Sequence, residues 1–280
     1  MLYETLSLLT LLFVLAIFVG VVDTMAGGGG LLAVPGLMAA GLDPISALAT
    51  NKLQAIFGTS SAVIQFWRKG RVRLIVHILP AIVAFLAAIA GASAVTRIDT
   101  AVLQRAVPLL LILIALILLA RPSLGIAPRR TILFRFLGML TLIPLIGFYD
   151  GFFGPGTGTF YAFGAVAILG ADLEDATIRA KIYNFASNCG GLYYLSAAGH
   201  TSWAYGAAMA AGTFIGGMIG ARLILRHGAR LIRPFVVAMS LAMSLHLLWQ
   251  QGIIQEISEL IGARCAEGQC SGPGDINIPL

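Results

Sequence analysis

Long apolar runs separated by short polar stretches dominate the chain, and two further apolar runs are short and directly follow glycine clusters. The pattern predicts helices at roughly 5–24, 29–41, 46–66, 73–96 and 101–120, then 131–150, 156–170, 175–197, 203–225 and 231–250. Eight of these are long enough to span a bilayer. The runs 29–41 and 156–170 correspond to about 20 to 22 Å of helix, against about 30 Å of hydrocarbon. They either cross as short half-helices or turn back.

The two short runs belong to one repeated phrase. Asp23 is followed by Thr24-Met25-Ala26 and the run Gly27 to Gly30. Asp150 is followed by Gly151-Phe152-Phe153 and then Gly154-Pro155-Gly156-Thr157-Gly158-Thr159, about 127 residues later. Each is a lone carboxylate, a glycine-rich break and a second apolar run. In a membrane, backbone outside a helix persists only where protein buries it or where it lines a cavity. A shift of about 129 residues extends the repeat, aligning Lys52 with Lys181 and Ala87, Ala88 and Gly91 with Gly216, Gly217 and Gly220. The small residues recur at helical spacing and read as packing seams.

Composition settles the solvent. With 59% hydrophobic and 11% charged residues and a mean hydropathy of +0.93, 280 residues cannot hide their apolar surface in a water-soluble core. The formal charge of +6 does not point to nucleic acid, because the basic residues lie in short loops between apolar runs. Arg68, Lys69, Arg71 and Arg73 mark one cytoplasmic loop, Arg121, Arg129, Arg130 and Arg135 a second, and Arg226, Arg230 and Arg233 a third. All three fall inside only if the short runs cross. Five segments per half then make the second half upside down relative to the first, with both termini outside. The expected fold is an all-α polytopic membrane protein of two inverted repeats, 1–125 and 126–252, with short broken helices at the glycine motifs and a polar tail at 253–280. The first apolar run lacks a small-residue cleavage site, so no cleavable signal is expected. Cys189, Cys265 and Cys270 match no zinc or redox spacing; an outside tail would allow a disulfide between the last two.

Inverted, interrupted helices point to a transporter site at the repeat interface. The helices starting after the breaks aim their positive ends there, which suits an anion. Gly28, Gly29 and Gly30 supply backbone donors in the first break, and Gly156, Thr157, Gly158 and Thr159 do so in the second. Lys52 and Lys181 lie deep in the runs 46–66 and 175–197, where a charge is costly and is by default functional. Asn51, Gln54, Tyr183, Asn184 and Asn188 add polar groups on the same helices. Arg179, two residues before Lys181, reads equally well as a headgroup-level cation. Asp23 and Asp150 are expected to pair with the lysines or cap the following helices, in preference to relaying protons. No paired carboxylates, nucleophile elbow or metal-ligand spacing occurs, so neither catalysis, metal nor cofactor is expected.

The stretch from Asp23 to Pro35, Gly41-Leu42-Asp43-Pro44 with Ala47, Thr50-Asn51-Lys52, and Gly147 to Gly158 together resemble the TauE/SafE sulfite-exporter family, also called TSUP. The likeness covers the chain to about residue 250. It implies a secondary transporter moving small sulfur-containing anions, such as sulfite, sulfoacetate or related organosulfonates, outward across a bacterial inner membrane. A proton- or cation-coupled transporter of another small organic acid or of a cation, acting through Asp23 and Asp150, is the first alternative. A membrane scaffold that uses the small-residue seams to bind partners is the second. Oligomeric state is left open.

Overall fold

Asp43 and Pro44 start the first of two central helices. The Asp43 carboxylate accepts from Ile45 N and Ser46 N, both at 3.1 Å, and Pro44 occupies the first turn, where a missing N–H costs nothing. Asp172 repeats the device by accepting from Asp175 N at 2.9 Å. Both helices therefore begin two residues before the points that hydropathy predicts, because the cap and not the apolar run sets the start. The computed structural model describes residues 2–99, 102, 132–169 and 172–227. The elements are α1 (Leu2–Ala26), α2 (Gly30–Ala39), α3 (Pro44–Arg68), α4 (Ile78–Val95), α5 (Ile132–Phe152), α6 (Thr157–Leu169), α7 (Leu173–Ala197) and α8 (Trp203–His227). No strand occurs among the described residues. The run predicted at 73–96 divides into a 3-10 turn, Leu74–His77, and α4. Pro80 accounts for the division, since its ring crowds the Val76 carbonyl one turn earlier. The runs predicted at 101–120 and 231–250, the tail 253–280, Cys265 and Cys270 lie outside the described residues. So do Arg121, Arg129, Arg130, Arg230, Arg233 and the side chain of Arg135.

Leu6–Ala26, Leu74–Val95 and Trp203–His227 are long and apolar enough to cross a membrane. Their outward faces present Leu11, Leu79, Leu86 and Ile215, as a lipid-facing surface requires. α2 and α6, at 10 and 13 residues, span about 15 to 20 Å. α3 and α7 are 25 residues each, about 37 Å, and carry the polar side chains. Their neighbours shield them: α3 packs on α7 and α8, and α7 also packs on α4 and α6.

Close crossings hold the outer helices to this centre. α1 lies against α8, and α4 against α5. A methyl group added at Gly212 would collide with Phe13 O, and one at Gly216 with Ile17 O; one at Gly91 would collide with Phe148 O, and one at Gly151 with Ala88 O. Small residues allow this approach, and dispersion between backbones replaces the hydrophobic drive that lipid cannot supply. Along α3, one apolar cluster takes Ile45 to Ala49 and a second takes Ala62 and Phe66. The buried polar residues Thr50, Asn51, Lys52, Gln54, Thr59 and Ser61 lie between them. This layer is where the glycine breaks arrive.

Candidate substrate site

Each aspartate ties down the break that follows it. Gly27 turns the chain out of α1 at φ 75, a conformation that favours glycine. Its N–H donates to Asp23 O at 2.7 Å. Asp23 Oδ1 then accepts from Gly29 N at 3.2 Å, just before α2 begins. At the second break, Gly154 and Gly156 adopt φ 94 and 82 between α5 and α6. Asp150 Oδ1 accepts there from Thr157 Oγ1 at 3.1 Å, a hydroxyl replacing the backbone donor of the first break.

The lysines cross over. Lys52 on α3 binds Asp150 on α5 through both the carbonyl and Oδ1. Lys181 on α7 binds Asp23 on α1 through its carbonyl and, at 2.9 Å, through Oδ2. Each lysine thus neutralises the carboxylate at the break in the other half of the chain. Ser187 Oγ donates to Asp150 Oδ2, so both oxygens of that carboxylate are occupied. The side chains of Lys52, Asp150 and Lys181 are each 1% exposed, whereas that of Asp23 is 14% exposed. Breaking a buried pair by deleting one partner strands the other charge, at a cost of about 3 to 5 kcal/mol.

The two breaks touch. A methyl group at Gly27 would overlap Thr159 N and Gly158, and Thr159 Oγ1 donates to Ala26 O. A methyl at Gly30 would stand 3.0 Å from Pro155 Cα and 3.3 Å from Asn51 Nδ2; one at Gly158 would stand 3.3 Å from Asn184 Nδ2. Gln54 Nε2 donates to Asn51 Oδ1 at 2.8 Å, and Asn188 Nδ2 to Asn184 Oδ1 at 2.8 Å. Gln54 Oε1 is buried without a hydrogen-bond partner among the described residues. Gly28 and Gly156 complete the two turns. Asn51, Lys52 and Gln54 therefore meet Lys181, Asn184 and Asn188 around the two glycine breaks.

Tyr183 is held by other partners. Its hydroxyl lies 2.8 Å from His77 Nδ1, and its ring meets Tyr161 edge-on at 5.7 Å. These partners lie on the 3-10 turn before α4 and on α6. Arg179 pairs with Asp175 at 3.5 Å and is one-third exposed. Three contributors are absent from the residues singled out by sequence. Ser187 lies three residues beyond Asn184 on the same helical face, a spacing that points to it. Gly191 accommodates the Lys52 stem, with a methyl there standing 3.2 Å from Cε. His77 holds Tyr183, and no spacing signals that pairing.

A helical, multi-pass membrane protein with its charged residues paired at two touching helix breaks is the class these features define. The chain belongs to the sulfite exporter TauE/SafE family, whose model matches residues 12–247 and so includes both breaks. It is 43% identical over 242 residues to the probable membrane transporter protein YfcA of Escherichia coli strain K12, covering 86% of this chain and 90% of that protein. It is 39% identical over 241 residues to the probable membrane transporter protein ORF9 of Sinorhizobium sp, covering 86% and 92%. A probable membrane transporter protein of Haemophilus influenzae is 39% identical over 246 residues, covering 88% and 96%. No solved structure matches the chain.

Proposed function

We propose that this membrane transporter exports small sulfur-containing anions, such as sulfite, sulfoacetate or similar organosulfonates, by alternating access at the junction of the two glycine breaks. The crosswise pairing of Lys181 with Asp23 and Lys52 with Asp150 carries the reading. Two lysines buried at one junction supply the positive charge that a small anion requires. A bound anion competes with a carboxylate for its lysine, so binding loosens a contact between the halves. Asp23 can release Lys181 and still accept from Gly29 N, which keeps α2 capped. Asn51, Asn184 and the backbone donors at the starts of α2 and α6 complete the hydrogen bonding around the anion. The halves act as inverted repeats in this scheme. In its support, α1 packs on α8 as α5 packs on α4, and α8 packs on α3 as α4 packs on α7.

The three basic loops support an orientation with both termini outside, and the resemblance to the family supports placement in a bacterial inner membrane. With the interior about 100 mV negative, export of a dianion gains roughly 4.6 kcal/mol, so no coupling ion is required. A coupled reading rests on a separate observation, the 14% exposure of Asp23. An accessible carboxylate that exchanges its lysine for a proton or cation would tie anion movement to that ion. Proteoliposomes loaded with labelled sulfite, sulfoacetate or a labelled organic cation test both readings. Protein-dependent anion efflux, driven by an inside-negative potential and unaffected by collapsing the pH gradient, supports uncoupled export. Efflux abolished by that collapse supports coupling, and transport of the cation alone contradicts the anion site.

A further inference from the structure

Away from the glycine breaks, the ends of α3 and α8 that carry Arg68 and His227 border an open concavity of about 700 Å3. Gln65, Lys69, Arg71, Arg222, Leu225 and Arg226 line it. Arg71 is bridged to Glu174 at 2.8 Å. That leaves Lys69, Arg222 and Arg226 without an ion pair among the described residues. On α8 the two arginines continue a stripe begun by Ile215 and Ile219, which are 40% and 39% exposed. The spacings of four, three and four residues put all of them on one helical face. An exposed aliphatic stripe that ends in two arginines sets those arginines at headgroup level. A second concavity, about 620 Å3 and almost wholly apolar, is lined by Leu53, Phe57, Trp203, Ala207, Ala211 and Phe214 among others. Eleven residues separate Ala211 from Arg222, about 16 Å of helix. One leaflet of hydrocarbon is about 15 Å thick.

We propose that the α3–α8 face binds an anionic phospholipid, with its phosphate among Lys69, Arg222 and Arg226 and an acyl chain along Ile219 and Ile215 into the groove at Ala211 and Phe214. Charge complementarity selects the headgroup, because basic pockets between helices at the membrane surface attract anionic lipid. The apolar groove, one leaflet away, selects a lipid over a free phosphate, which would have no use for it. The site is independent of the transported substrate.

Native mass spectrometry of the purified full-length protein tests this with phosphatidylglycerol and phosphatidylcholine of identical chains. The doubly substituted Arg222→Gln, Arg226→Gln protein is expected to bind phosphatidylglycerol about 30-fold more weakly, roughly five-fold per charge, with phosphatidylcholine unchanged. Lysine at both positions is expected to restore most of the affinity. Ala211→Trp, which keeps every charge and fills the groove, is expected to weaken both lipids. Equal phosphatidylglycerol affinity in wild type and the glutamine variant would overturn the headgroup assignment. Unchanged affinity in Ala211→Trp would overturn the acyl-chain placement even if the glutamine variant failed to fold. Thermal protection by inorganic phosphate equal to that by phosphatidylglycerol would make the cavity a free-anion site instead.

Discussion

The two lysine–aspartate pairs share a plan and differ in closure. Asp150 is sealed: Lys52 and Thr157 occupy one oxygen, Ser187 the other, and neither partner of the ion pair exceeds 1% exposure. Among the described residues the Asp23 carboxylate binds Lys181 and one backbone N–H, and it retains 14% exposure. The same carboxylate at the same place in two related breaks is therefore a fixed strut in one half and an accessible latch in the other. Under the proposed function, an incoming anion would meet less competition at Lys181 than at Lys52. Access, more than charge, distinguishes the halves.

The sharpest way to break this comparison is to remove the carboxylates in turn. Asp150→Ala strands Lys52 in a sealed site and should cost about 3 to 5 kcal/mol of stability. Asp23→Ala should cost less, because the Asp23 carboxylate is 14% exposed against 1% for Asp150, so water replaces part of what is lost; either lysine keeps its backbone carbonyl partner. Thermal unfolding in detergent checks the ranking, and equal losses would erase the distinction between strut and latch. The double change Lys52→Met, Asp150→Leu should recover most of the loss, since an apolar pair of similar volume needs no desolvation.

The glycines give a second, smaller contrast. Gly27→Ala combines a positive φ with overlap onto Thr159 N and Gly158. It should cost about 2 to 4 kcal/mol from left-handed strain and overpacking together. Gly28→Ala meets nothing nearer than Leu31 Cδ1 at 3.5 Å and should stay within about 0.5 kcal/mol of wild type. Paired melting curves decide, and a Gly28 variant as damaged as the Gly27 variant would contradict the contact between the breaks. The smallest effect is expected from Tyr183→Phe. It forfeits the hydrogen bond to His77, about 1 kcal/mol, and should leave transport near wild type, because both lysine–aspartate pairs are untouched.

Much of this arrangement is legible in the chain because its physics is local. The glycine breaks, the buried lysines and the short α2 and α6 all follow from runs and interruptions within a few residues. Helix starts at Pro44 and Leu173 escape a hydropathy reading, since Asp43 and Asp172 set them through hydrogen bonds and not through apolar character. The crossover of the ion pairs is harder. Lys52 and Asp150 are 98 residues apart, and Lys181 and Asp23 are 158 apart. Sequence supplies two cations and two anions, and only packing chooses between the two ways of joining them. Tyr183 hydrogen-bonds His77, 106 residues earlier, and no local spacing announces that partner.

The central claim is that Lys181, held by an accessible Asp23, is where the anion engages. Efflux of labelled sulfite from proteoliposomes containing wild type, Lys181→Met or Asp23→Asn tests it most directly. Methionine keeps the apolar stem and removes a charge-assisted contact of about 1.5 to 3 kcal/mol, so the apparent affinity for sulfite should fall roughly ten-fold to a hundred-fold. Asparagine can still accept from Gly29 N and lowers competition for the lysine, so that variant should stay near or above wild type. Wild-type efflux from Lys181→Met together with loss of efflux in Asp23→Asn would contradict the account and move the transported charge to the carboxylate.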